Sequence, residues 1–284
     1  MRSWNMRTTS SARPLAYLGG AVLLAVVFAA LYVVFVRTIT GQVADQLSYD
    51  GAENGWRSVT PFTRRLLDAV PMVSVVIGLV LTGIITLVRR NWATLIVALA
   101  AAGAATVSAQ ILKYVILDRP DLDVIGYAGN SFPSGHTTVA AASALVVFLV
   151  ASPRTRPIIA AAGTSFAIAA GVATLANQWH RPSDVVAALL VVAFWGCLAG
   201  VVLSVRARAA HAVASVGTRA RAPRWWLWLV PIVGLTGLSL AVTVLRASAD
   251  SPGMLVAYVG GVVGIVGVGL VLAFAGTRLF ARLP

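Results

Sequence analysis

Acidic residues are scarce in this chain of 284 residues: nine Asp and Glu stand against 22 Lys and Arg, a formal charge of +13. Lysine is scarcer still, since Lys113 is the only one. A single cysteine, Cys197, lies inside a predicted apolar span, which excludes an intrachain disulfide and leaves a small buried hydrophobe as its reading. Charged residues make up only 11% of the chain against 59% hydrophobic, with a mean hydropathy of +0.88. That balance excludes an ordinary soluble domain of this length.

In place of charge there is a series of apolar runs of about 20 residues, the length an α-helix needs to cross a hydrocarbon layer of roughly 30 Å. The sequence predicts an all-α, polytopic membrane helix bundle of about eight transmembrane helices. The spans fall at 15–37, 69–88, 91–116, 136–152, 158–177 and 183–205, then at a run opened by Trp225, Trp226 and Trp228, and at 253–276. The first run exceeds the apolar core of a signal peptide and reads as a retained span. Residues 38–67 hold Asp45, Asp50, Glu53, Arg57, Arg64 and Arg65, too many charges to cross, and read as a short interfacial helix or a surface loop. Gly260, Gly261, Gly264, Gly267 and Gly269 in the last span read as a packing surface.

Charge sets the orientation. The N-terminal tail, the loops near 89, 153 and 206 and the C-terminal tail hold 14 of the 22 basic residues and no acidic one. Basic residues gather on the cytoplasmic side of polytopic proteins, so both termini are expected there. The positive charge is accordingly no sign of nucleic acid; the basic loop at 206–224, with His211 in it, suits anionic headgroups.

Two outward loops carry the chemistry. The first holds Lys113, Arg119-Pro120 and Pro133-Ser134-Gly135-His136, the second His180-Arg181-Pro182-Ser183-Asp184. A Ser-Gly turn opening a helix suits an anion, because the first N–H groups of a helix are unpaired and carry partial positive charge. Asp184 follows His180 by four residues and can accept its ring N–H, leaving the other ring nitrogen free to attack. A metal site would want a third or fourth ligand, which favours acid/base and nucleophilic work for His136 and His180.

These motifs resemble those of the type 2 phosphatidic acid phosphatases, the lipid phosphate phosphatases related to vanadium haloperoxidases. The pattern is Lys, six residues, Arg-Pro; Pro-Ser-Gly-His; and Ser-Arg, five residues, His, three residues, Asp. Here five residues separate Lys113 from Arg119, and the Ser-Arg falls on Ala173-Thr174, so one phosphate-clamping arginine is replaced by threonine. Arg181 or the 38–67 segment is expected to supply the missing cation.

The resemblance implies a core at 69–205, after a tail (1–14) and a first span with its outward loop (15–68), and followed by the basic loop (206–224) and two added spans (225–284). It implies hydrolysis of a polyprenyl phosphate, polyprenyl diphosphate or phosphatidate type of lipid at the outer face of the cell membrane, with neither metal nor cofactor. His180 would be the nucleophile, Asp184 its orienting acid and His136 the acid on the leaving group. Lys113, Arg119, Ser134, Gly135 and Arg181 would bind the phosphate. The arginine-rich usage suggests a GC-rich bacterial genome. Two alternatives stay open: a weak or silent lipid-phosphate binder, favoured by Thr174, and a phosphotransferase to an acceptor other than water. A transporter of such lipids has only the helix count behind it.

Overall fold

The structure is a computed structural model that describes residues 14–52, 61–126, 129–211, 253–281 and 283. Every regular element among them is helical: α1 (Pro14–Val36), α2 (Ile39–Gly51), α3 (Pro61–Arg89), α4 (Trp92–Ile111), α5 (Gly135–Val150), α6 (Arg156–Ala176), α7 (Pro182–His211) and α8 (Met254–Phe280). A π-helical turn, Leu112–Ile116, continues α4. Six helices are long and apolar enough to cross a membrane, and α5, at 16 residues, is shorter. The predicted spans at 15–37, 91–116, 136–152, 158–177, 183–205 and 253–276 each coincide with a helix. The span opened by Trp225 and the basic loop before it lie outside the described residues.

Two expectations change. The second span belongs to a longer helix, since α3 starts at Pro61, whose ring suits the first turn of a helix. The described part of the segment after α1 opens with a short helix, one of the two expected forms, but its polar face turns into the bundle. Thr38 caps α2 by accepting the Gly41 N–H at 3.1 Å, a contact worth about 1 kcal/mol. Gln42, Ala44, Asp45, Gln46 and Ser48 are then buried against the bundle. A 13-residue helix with an inward polar face is stable only if its polar groups find partners, and those partners are Arg119 and Pro120, Arg181 and Ser183 at the start of α7, and Ala257 of α8.

Helix α7 is the centre of the bundle, packed by α1, α4, α5 and α8. Two thirds of its apolar stretch is buried (67%) against 17% of that of α1, whose Leu15, Leu23 and Val26 face outward as a lipid-facing helix would. Close approach at two glycines fixes the site end of α7. A Cβ on Gly171 of α6 would come within 2.5 Å of Val185, and one on Gly261 of α8 within 2.6 Å of Pro182. At the far end, Arg156 donates to the Phe280 and Leu283 carbonyls at 2.9 and 2.6 Å, and Arg89 to that of Val150 at 2.7 Å. These arginines therefore satisfy carbonyls that a helix C-terminus leaves unpaired. Cys197 is a free buried thiol.

Candidate active site

Two helix N-termini meet at one end of the bundle, and they bring the two sequence loops together. At α5, Ser134 is the cap: its Oγ accepts the Thr137 N–H at 3.4 Å and donates to Thr137 Oγ1 at 3.1 Å, and the residue is fully buried. Its N–H donates to the Asp184 carbonyl at 2.9 Å, which ties the Pro-Ser-Gly-His turn to the first turn of α7. The Gly135 N–H makes no hydrogen bond among the described residues, as the Ser134 cap takes the Thr137 N–H and leaves the first N–H of the helix unpaired.

Asp184 is the hub, with its side chain fully buried. Its Oδ2 stands 3.4 Å from His180 Nδ1, and accepts the Ser131 hydroxyl at 2.5 Å and the Arg181 N–H at 3.0 Å. Its Oδ1 accepts Arg119 Nη2 at 3.3 Å. A buried carboxylate is tolerated when its lone pairs are filled by donors and a cation, as they are here. His180 precedes the helix instead of standing within it: the Thr174 carbonyl accepts both the Trp179 and His180 N–H groups, at 2.9 and 3.3 Å. The turn places Gln178 at φ 56°, a left-handed conformation that costs a side-chain-bearing residue roughly 1–2 kcal/mol. Tyr49 of α2 holds it there, its hydroxyl donating to the Gln178 carbonyl and its own carbonyl accepting Gln178 Nε2 at 3.2 Å.

His136 faces this turn. Its ring centroid lies 6.2 Å from that of His180, at 61°, and 5.2 Å from that of Trp179. Arg181 is buried, with Nε donating to Gln46 Oε1 at 3.0 Å, Nη1 to Ser131 Oγ at 3.1 Å and its guanidinium 5.5 Å over the Tyr49 ring. Arg119 also reaches Asp45 Oδ2, at 3.5 Å. Burial raises the Asp45 carboxyl above its ordinary range, and Arg119 is the largest influence against that rise.

Of the predicted residues, His136, His180, Asp184, Arg119, Arg181, Ser134 and Gly135 thus share one end of the bundle. Lys113 stands apart from the hub: it lies in the π-helical turn with its Nζ 5.4 Å from the Tyr114 ring centroid, and makes no ion pair among the described residues. Its carbonyl accepts Asn130 Nδ2 at 2.9 Å, which anchors the loop leading to Pro133. Thr174, where the family pattern has arginine, is 2% exposed and turns its hydroxyl to the Gly171 carbonyl at 2.7 Å. Sequence reasoning missed Ser131, Asp45, Gln46, Tyr49 and Trp179. The spacing of the apolar residues of 38–67, which allowed a short helix, and the charges of Asp45 and Asp50 were the signals for α2. No group of three or more His, Cys, Asp or Glu side chains is arranged to hold a metal among the described residues.

The family model of the PAP2 superfamily matches residues 91–208. That match covers α4 through nearly all of α7, less than half of the chain, and agrees with the resemblance of the motifs; members of that superfamily are phosphatases. No curated protein and no solved structure matches the chain. Helices α1, α2, α3 and α8 lie outside the matched residues, and α2 nevertheless lines the site.

Proposed function

We propose that the protein is an integral membrane lipid phosphate phosphatase that works through a phosphohistidine on His180, at the outer face of the cell membrane. The observation that carries this reading is the pair His180 Nδ1 and Asp184 Oδ2 at 3.4 Å, with the His136 ring 6.2 Å away on the other helix start. With Nδ1–H directed at Asp184, His180 is held in the tautomer whose Nε2 carries a lone pair. Nε2 forms a bond to phosphorus as the bond from phosphorus to the leaving oxygen breaks, and His136 gives that oxygen a proton. His136 then takes a proton from water, whose oxygen displaces Nε2 and releases inorganic phosphate. Asp184 stabilises the imidazolium character that His180 acquires on attack.

Charge on the non-bridging oxygens is the main demand of phosphoryl transfer, and it is met by positioned donors. Arg119, Arg181 and the Gly135 N–H are the donors at hand, with Ser134 shaping the turn and Lys113 approaching from the rim once substrate is present. Arg181, held by Gln46, Tyr49 and Ser131, takes the part of the arginine missing at Thr174. The outward direction rests on the count of basic residues in the sequence, of which Arg89, Arg90, Arg154 and Arg156 lie at helix ends away from the site. A polyprenyl phosphate or diphosphate fits an outward site where carrier lipid is recycled, and phosphatidate fits the same chemistry. Phosphate release from these lipids by purified protein in mixed micelles tests the reading: release from at least one, lost in His180→Ala, supports it, and release from none overturns it.

A further inference from the structure

Asp45 is a buried carboxylate that the phosphohistidine steps do not use. It sits on α2, outside the matched residues 91–208, with its side chain 1% exposed. Its Oδ1 accepts the Ser183 N–H at 3.1 Å, and its Oδ2 accepts the Ser183 hydroxyl and Arg119 Nη2, the latter at 3.5 Å. The same Nη2 stands 3.3 Å from Asp184 Oδ1. One guanidinium nitrogen is therefore shared between the carboxylate that orients the nucleophile and one that plays no part in the chemistry. Ser183 is the second residue of α7, so its N–H belongs to the unpaired set of a helix N-terminus and favours a negative charge beside it.

We propose that Asp45 is an affinity-setting counter-charge, which competes with the phosphate group for Arg119 and so weakens the hold on bound phosphate; this rests on the reading of Arg119 as a phosphate ligand. Both interactions are charge–charge contacts in a buried setting, where solvent screens little. A phosphate oxygen approaching Arg119 meets a guanidinium already drawn toward Asp45, and must also approach the Asp45 charge itself. The two effects have the same sign. Ser183 limits the competition: its N–H and hydroxyl spread the Asp45 charge and fix the carboxylate on α7, so that its contact with Arg119 is a long one, at 3.5 Å. Such a device suits a hydrolase that has to release inorganic phosphate after every turnover, because a site that binds product tightly is slowed by it.

The test is binding of inorganic vanadate to the full chain in detergent, on the alkaline side where Asp45 is ionised although burial raises its carboxyl, read by tryptophan fluorescence, with Trp179 beside His136 as a local reporter. Asp45→Asn keeps the shape and an acceptor for the Ser183 N–H, and is expected to bind vanadate about tenfold tighter or more, the effect of removing one nearby charge. Ser183→Ala removes one donor from Asp45, strengthens its pull on Arg119, and is expected to bind vanadate more weakly. Opposite signs cannot come from loosened structure, which weakens binding in both. In Asp45→Asn/Arg119→Gln the gain should vanish. Unchanged or weaker binding in folded Asp45→Asn overturns the proposal, and if that variant does not fold, unchanged or tighter binding in Ser183→Ala does so. A wild-type protein that binds vanadate but releases no phosphate from any lipid removes the catalytic reading and leaves this test in force. A wild-type protein that binds no vanadate overturns both.

Discussion

His136 and His180 stand on separate helix starts with their ring centroids 6.2 Å apart, and the Ser134 N–H bonded to the Asp184 carbonyl at 2.9 Å keeps those starts in register. The separation is short enough for the two rings to serve opposite ends of one scissile bond. His180→Ala should therefore abolish phosphate release, since no nucleophile remains. Asp184→Asn should cost on the order of 3–5 kcal/mol in stability, activity or both, because Arg119 and the Ser131 hydroxyl lose a charged partner in a buried place. Turnover and thermal unfolding measured on the same preparations separate the two.

Ser131→Ala tests the hub without removing a charge. The hydroxyl donates to Asp184 and accepts from Arg181, so its loss leaves both with one fewer partner. The expected cost is about 1–3 kcal/mol in the barrier, roughly five- to 150-fold in kcat/KM. A variant with wild-type kcat/KM would detach Ser131, and with it Arg181, from the reaction.

Thr174→Arg should not restore a phosphate clamp. The residue is 2% exposed, its hydroxyl is bonded within α6, and its carbonyl carries the Trp179 and His180 N–H groups. A long cationic side chain in that space is expected to cost about 1–3 kcal/mol from overpacking alone and to displace the His180 turn. Activity of the purified variant checks this: a rise above wild type would mean that the seat of the absent arginine is open.

Chelation should leave turnover intact while vanadate inhibits it. The chemistry is assigned to two histidines and a carboxylate, and vanadate mimics five-coordinate phosphorus under attack. Loss of activity in EDTA, restored by a divalent ion, would instead make His136 and His180 ligands.

Sidedness follows from the charge distribution. In a Cys197→Ala background, a cysteine at Ile125, which is 93% exposed beside the site, should react with a membrane-impermeant thiol reagent on intact cells. One at Arg154, in the exposed turn before α6 at the opposite end, should react only after lysis. The reverse pattern would place the site inside.

Much of this was legible in the sequence because membrane helices announce themselves by length and apolarity, and because a motif such as Pro133-Ser134-Gly135-His136 is local: the residue that caps the helix and the histidine it presents are neighbours in the chain. The pairing of His180 with Asp184 was legible for the same reason. What escaped was non-local. Asp45, Gln46 and Tyr49 act on residues more than 70 positions away, and nothing in their own segment distinguishes a polar face turned to water from one turned to buried partners. Thr174 shows the converse: the sequence located the departure from the family pattern, while the consequence, a hydroxyl turned back to its own helix and Arg181 held by α2, depends on the fold.

The most direct test of the account is to look for the covalent intermediate. His136→Ala, incubated with a lipid phosphate bearing a good leaving group and quenched without acid, should carry phosphate on His180, because attack proceeds while hydrolysis of the P–N bond lacks its base. Peptide mass spectrometry that finds phosphohistidine at His180, absent in His136→Ala/His180→Ala, is the predicted result. Turnover by the wild type with no phosphate on His180 in the trapping variant, or with phosphate on another side chain, would contradict it.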